Sequence, residues 1–179
     1  MPMLEFIDYS TRRGAIVPLL PKIHALLKEN AEKDKLCGLE PPENLVTWRQ
    51  KINPMLLDIS RRFVFAMEIK GPNNRDVLGF VFYRYPPNEK GKLYINDMQI
   101  AYAQRGNAAV LTGLVAKLEA DPNAKNAAFF GGERLKKPVD KEILAGVGFI
   151  ETFPDGWEPL GNMKEALGAL RLRYGRAKA

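Results

Sequence analysis

Cysteine and histidine are almost missing: Cys37 and His24 are the only ones in 179 residues. One thiol excludes a disulfide within the chain. One thiol and one imidazole together exclude a Cys-rich zinc site and a His-rich metal centre. Long hydrophobic runs are missing too; the longest, such as 15–20, reach about six residues where a membrane span needs about 20. The opening stretch Met1-Pro2-Met3-Leu4-Glu5-Phe6 has neither a basic start nor an extended apolar segment, so no signal peptide is expected. There is no internal repeat and no low-complexity tract. These absences predict a soluble protein in a reducing, cytoplasmic setting, with Cys37 a free thiol. Any chemistry is left to carboxylates, hydroxyls, backbone amides or a bound cofactor.

Apolar residues make up 46% and charged residues 27%, a globular rather than disordered balance. A chain of this length buries roughly 70% of its unfolded surface and needs no metal or disulfide to fold. A single domain over 1–179 is expected. The net charge is +6, and most of it sits in one place. Residues 164–179 hold Lys164, Arg171, Arg173, Arg176 and Lys178 against Glu165 alone. Such a segment solubilises a chain and is able to touch phosphate. No zinc-finger, recognition-helix or aromatic-basic strand signature accompanies it, so no dedicated nucleic-acid reader and no membrane partner is expected.

Hydrophobic spacing places the elements. A short strand is expected over 4–9. Ile16, Leu19, Leu20, Ile23 and Leu27 recur at helical spacing, with Pro18 and Pro21 near the start, and His24 among them reads as a packed or surface side chain. A loop with Cys37 leads to a second helix bearing Leu45, Trp48 and Ile52, closed by Pro54. The period then changes to that of strands over 63–69, 77–85 and 93–101, separated by turn residues at 71–74 and 86–91. Residues 77–85 are apolar on both faces and should be central. Leu111, Leu114, Val115 and Leu118 form the next helix, ended by Asp121-Pro122, and 127–130 a strand stopping at Gly131-Gly132. Pro138 opens a further helix with Ile143 and Leu144, and 149–153 is a strand. Over 157–170 a helix bearing Met163, Ala166, Leu167 and Leu170 competes with a short strand before Gly161. The fold class is mixed α/β: an antiparallel meander followed by a β-α-β crossover, with helices on both faces.

The junction between the strand at 93–101 and the following helix carries the chemistry. Arg105-Gly106-Asn107-Ala108-Ala109 opens directly into that helix. Backbone N–H groups at a helix amino terminus converge, and the helix dipole adds about half a positive charge, so the turn is an anion cradle. It lacks the Lys-Ser/Thr pair of a nucleotide P-loop and the three glycines of a dinucleotide fold.

From these residues the chain resembles the GNAT superfamily of acyl-CoA-dependent N-acetyltransferases. The family motif reads Q/R-x-x-G-x-G/A, and Ala103-Gln104-Arg105-Gly106-Asn107-Ala108 stands there. Gly106 and Ala108 fit; Ala103 departs, with Gln104 adjacent. Ile100 falls six residues before the glycine, as the family has it, and Gly148-Phe149 matches its Gly-Phe pair. The resemblance implies acetyl-CoA (coenzyme A) as co-substrate, with no metal. The backbone of Met98, Ile100 and Ala101 would pair with the pantetheine arm, and the amides of Arg105, Gly106, Asn107, Ala108 and Ala109 would hold the pyrophosphate. Gly131-Gly132 ends the next strand where the family splays two strands apart.

An amine with a pKa near about 10.4 is mostly ammonium at neutral pH, and a positioned base supplies a rate factor of about 10² to 10⁴. Asp97 is one candidate base: aspartate is disfavoured within strands, and the family often places a carboxylate there, although a solvated face accounts for it more simply. Glu133 is the second candidate and Glu68 the third. The family's general-acid tyrosine position holds Leu144, which leaves thiolate protonation to Tyr102 or solvent. Cys37 has no basic partner in sequence, so direct attack of amine on thioester in a ternary complex is expected rather than a covalent intermediate. The amine acceptor is not identified by the sequence. The stripe Met163, Leu167, Leu170 either closes the core or meets a second subunit, and the family's habit adds a homodimer as an expectation. Two other readings stay open: an acyl-CoA-binding protein without turnover, and a phosphate- or nucleic-acid-binding module using the basic tail.

Overall fold

Strands with apolar residues on both faces need a layer on each side, and the chain supplies them in turn. A computed structural model of the chain describes residues 2–33, 41–85, 87–88, 92–104, 107–125, 129–132, 149–153 and 156–159. Strand β1 (Met3–Asp8) is followed by a 3-10 helix (Arg13–Leu19), α1 (Leu20–Lys33) and α2 (Leu45–Leu57). Strands β2 (Arg61–Gly71), β3 (Asn74–Arg84) and β4 (Lys92–Ile100) come next. A 3-10 turn (Tyr102–Gln104), α3 (Ala108–Ala120), the short α4 (Pro122–Lys125) and β5 (Phe129–Gly132) follow, then β6 (Phe149–Phe153) and β7 (Gly156–Pro159).

The main sheet runs β1-β2-β3-β4-β5, so β3 is central as its two apolar faces require. β1 to β4 pair antiparallel and β4–β5 parallel. The connection from β4 through α3 to β5 is the expected crossover. β6 and β7 form an antiparallel pair, with β7 beside β5.

Phe63, Phe65 and Met67 of β2 and Val77, Phe80 and Phe82 of β3 face α1 and α2. They are buried with Ile16, Leu20, Ile23, Leu26 and Trp48 in one cluster. Each such aromatic or aliphatic side chain contributes about 1.5–3 kcal/mol when fully buried. The opposite face meets α3, whose Val110, Leu114 and Leu118 are buried. There the sheet comes so close that a Cβ on Gly79 would lie 2.8 Å from the Gln99 carbonyl oxygen and 3.2 Å from Leu114 Cδ1. A Cβ on Gly113 would lie 1.9 Å from Cζ of Phe6. The Tyr83 hydroxyl donates to Asp121 Oδ2 (3.0 Å) at the carboxyl end of α3, and burial, with the Asp121 charge, pushes the phenol far above its ordinary pKa.

Three elements differ from their sequence expectation. The first helix starts as a 3-10 segment with Pro18 inside it. Arg13 fastens this segment, donating to the carbonyls of Ser10 (2.8 Å), Leu56 (3.0 Å), Arg61 (2.8 Å) and Asp58. Pro54 does not close α2, which continues to Leu57. Placed in the last turn, it forfeits only the bond to the Gln50 carbonyl, and the Asp58 N–H still closes onto Met55. β5, described over Phe129–Gly132, contains Gly131-Gly132 rather than stopping before them. A short strand stands at 156–159, and the helix expected to bear Met163, Ala166, Leu167 and Leu170 lies outside the described residues. The expected helix from Pro138, the Cys37 loop and the basic segment 164–179 lie outside the described residues.

Candidate active site

The site is organised by an irregularity in β4. Tyr83 pairs with Ile95 but Phe82 pairs with Asp97, so Asn96 is a bulge. β5 pairs with β4 only over Lys92 to Ile95, ending at Ile95↔Gly132. Beyond the bulge, among the described residues, no strand covers the outer edge of β4. The Ala101 N–H donates to the Leu78 carbonyl (2.8 Å), which makes that pair hydrogen-bonded toward β3. Antiparallel alternation then turns the N–H and C=O groups of Met98 and Ile100 outward along the uncovered edge. The side chains of Met98 and Ile100 are buried on the α3 face.

Asp97 and Gln99, opposite Phe82 and Phe80, project to the α1–α2 side. Gln99 is 2% exposed and donates from Nε2 to Asp97 Oδ1 (2.9 Å). Its Oε1 accepts from Asn30 Nδ2 (3.1 Å), which also donates to the Ile100 carbonyl (2.9 Å). Asn30 stands on α1, wholly buried. A buried amide in an apolar stripe is costly unless hydrogen-bonded, and here it reaches the strand on which the site is built.

Past Ala101 the chain makes a tight descent into α3. Gln104 N–H bonds to the Ala101 carbonyl (2.7 Å) and Asn107 N–H to the Gln104 carbonyl (2.9 Å). Asn107 is the N-cap: its Oδ1 accepts from the Ala109 N–H (3.1 Å), and its Nδ2 donates to Gln104 Oε1 (3.0 Å). Two amides of the expected cradle are therefore already held, that of Ala109 by the cap and that of Asn107 by the Gln104 carbonyl. Lys33 at the end of α1 lies over the Tyr102 ring, 5.6 Å from its centroid, and pairs with Glu29 (2.6 Å). Hydrogen bonding to Glu29 raises the Lys33 pKa. Among the described residues no group of His, Cys, Asp and Glu could hold a metal ion, and no helix is long and apolar enough to cross a membrane.

No family model matches the chain. No curated protein matches it by sequence either. Solved structures do match by shape. An acetyltransferase from Thermus thermophilus superposes with a TM-score of 0.57 at 14% identity, over 87% of this chain and 94% of that one. The PaiA N-acetyltransferase of Thermoplasma acidophilum, in complex with coenzyme A, gives 0.54 at 14%, over 87% and 96%. A spermidine N-acetyltransferase from Vibrio cholerae, in complex with CoA and spermine, gives 0.53 at 17%, over 84% and 82%. The fold is that of the GNAT acetyltransferases. At these identities the likeness establishes the architecture alone.

On this GNAT scaffold the sequence-predicted residues separate clearly. Asp97, Met98, Ile100 and Ala101 follow one another on and just past the uncovered edge, and Asn107, Ala108 and Ala109 open the helix after it. Glu68 is removed from them: it lies on β2, on the sheet face opposite Asp97, and pairs with Lys70 (2.9 Å). Glu133, Arg105, Gly106 and Leu144 lie outside the described residues. His24 sits edge-on to Trp48 and its Nε2 meets the Glu43 carbonyl (2.6 Å), away from Asp97's hydrogen-bonded partners. Sequence reasoning missed Asn30. Its signal was an amide seven residues after Ile23, on the buried stripe of an amphipathic helix.

Proposed function

We propose that the chain is an N-acetyltransferase, moving an acetyl group from acetyl-CoA to a primary amine by direct attack in a ternary complex. The observation that carries this reading is the uncovered β4 edge, released from β5 past Ile95 and leading straight into the Asn107-capped start of α3. Met98, through N–H and C=O, and Ile100, through N–H, are the groups to pair with a pantetheine arm, beside Ala101. The amides of Arg105, Gly106, Asn107, Ala108 and Ala109 are the groups for the pyrophosphate; using that of Ala109 requires the anion to displace or share the Asn107 cap, and using that of Asn107 to displace or share its bond to the Gln104 carbonyl. The similar structures from Thermoplasma acidophilum and Vibrio cholerae hold coenzyme A, which supports the choice of donor.

Asp97 is the first candidate base and Glu133 the second. In the step itself the ammonium gives one proton to the base, its nitrogen bonds to the thioester carbonyl carbon and sheds a second proton to solvent, and the carbon–sulfur bond breaks. The thiolate leaves and takes a proton from solvent or from Tyr102. Asp97 is suited to accept the ammonium proton because it projects from the same strand whose backbone faces the donor edge. The Vibrio relative holds spermine, so polyamines head the acceptor panel.

Thermal melts with acetyl-CoA test the donor, with ATP at matched ionic strength as control. A ligand at a hundredfold over its Kd stabilises by about 2.7 kcal/mol, or about 5–10 °C here. Thiol release with a panel of primary amines tests the transfer, and Asp97→Asn and Glu133→Gln test the base, with a loss of about 10²- to 10⁴-fold in kcat expected for the true one. Stabilisation without thiol release would leave acyl-CoA binding without turnover. No stabilisation by acetyl-CoA would refute the proposal.

A further inference from the structure

We infer that Asn30 is a positioning residue for the transfer: through Gln99 it orients the Asp97 carboxylate, and through the Ile100 carbonyl it holds the strand edge alongside. This rests on the acetyltransferase reading above. The direction of the hydrogen-bond chain is locked from both ends. An ionised carboxylate and a backbone carbonyl only accept. Asp97 therefore requires the NH₂ of Gln99, which leaves Gln99 Oε1 to face α1. Oε1 and the Ile100 carbonyl both then require donors, and Asn30 Nδ2 carries two. Turning over either amide would set oxygen against oxygen. With Asn30 and Gln99 both buried, water is poorly placed to repair such a mismatch, so the cost falls on the orientation of Asp97. A residue on the first helix thus governs the aim of the candidate base on the fourth strand.

Asn30→Asp tests this with almost no change of shape. It replaces the shared donor by an acceptor, so Gln99 must turn over and present its oxygen to Asp97. Asp97→Asn in the same chain lets the hydrogen bonds run in the reverse sense. The expected result in melts is a thermodynamic cycle with favourable coupling: Asn30→Asp lowers Tm, and adding Asp97→Asn recovers part of the loss although Asp97→Asn alone gives no gain. In turnover, Asn30→Asp lowers kcat about tenfold to a hundredfold while the KM for acetyl-CoA stays within about threefold. The double variant recovers stability but not kcat, which separates aim from folding. If Asn30→Asp does not fold, Asn30→Leu and Gln99→Met carry the same kcat-against-KM comparison. Absence of coupling between positions 30 and 97 overturns the relay. Coupling with an unchanged kcat overturns the positioning role and leaves a structural tie. A wild-type chain that is stabilised by acetyl-CoA but acetylates no amine overturns the transfer reading and the positioning role with it. The melt cycle reads the relay itself in either case.

Discussion

Gly79→Ala sets two physical effects of opposite sign against each other. Glycine within a strand costs about 0.5–1 kcal/mol relative to alanine, so propensity alone predicts stabilisation. The structure predicts the reverse, because the new Cβ would stand 2.8 Å from the Gln99 carbonyl oxygen and 3.4 Å from the Ile100 Cα. Leu114 Cδ1, at 3.2 Å, is able to rotate aside; a carbonyl held in a paired strand is not. Overpacking of a tight site typically costs about 1–3 kcal/mol, leaving a net loss of about 1.5 kcal/mol once the propensity gain is subtracted. In a chain of this size that lowers Tm by about 3–6 °C. The displaced atoms belong to the β4 segment proposed to hold the acyl donor, so stabilisation by acetyl-CoA should shrink as well. Gly71→Ala is the control: nothing lies within 4 Å of its Cβ, and a neutral or slightly stabilising change is expected. Melts of both variants, with and without acetyl-CoA, decide the matter. A Gly79→Ala protein as stable as Gly71→Ala would refute the packing argument.

Gly113→Ala should change sign with its partner. Beside Phe6 it destabilises, whereas in a Phe6→Leu chain, where the ring atoms at 1.9 and 2.3 Å are gone, it should stabilise by about 1 kcal/mol through helix propensity; equal effects in the two backgrounds would refute the contact. Arg13→Ala strands four carbonyls and should cost about 3 kcal/mol in denaturant melts, with Arg13→Lys recovering less than half because one ammonium cannot reach the same spread of acceptors. Hydrogen bonds from Lys22 and Lys70 hold the Asp76 carboxyl at about 2, below its ordinary 3.8. Its folded pKa is the lower one, so its stabilisation is complete above about 3.8 and is lost as the pH falls toward about 2. Asp76→Asn should lower stability at neutral pH by less than about 1 kcal/mol, since the pair is exposed, and the two stability curves should converge near the acid end.

Much of the sheet was legible because its signals are local. Alternation over 63–69 and 77–85 places β2 and β3, and the double-sided apolarity of 77–85 places β3 at the centre. Asp121-Pro122 marks the end of α3. The failures are failures of context. Pro54 reads as a helix stop, yet in the last turn it costs a single hydrogen bond. Gly131-Gly132 reads as a strand end, yet both residues pair with Tyr94 and Ile95. At the candidate site, Asp97 announces itself by being aspartate in a strand. Neither the Asn96 bulge nor the partnership of Asn30 with Gln99 is written locally, since each depends on residues about 15 and 70 positions away brought together by pairing and packing.

The Asn96 bulge acts on this strand as a frameshift acts on a message. In an unbroken strand Leu93 and Asp97, four residues apart, would lie on the same side of the sheet. Pairing Asn96 in regular register, with every residue kept, would not make a local defect. It would exchange the whole downstream set, sending Asp97 and Gln99 into the apolar layer under α3 and bringing Met98 and Ile100 out in their place. The bulge in this strand is therefore as much a chemical specification as the identity of its residues. A strand without the bulge could keep every functional side chain and still aim each of them the wrong way.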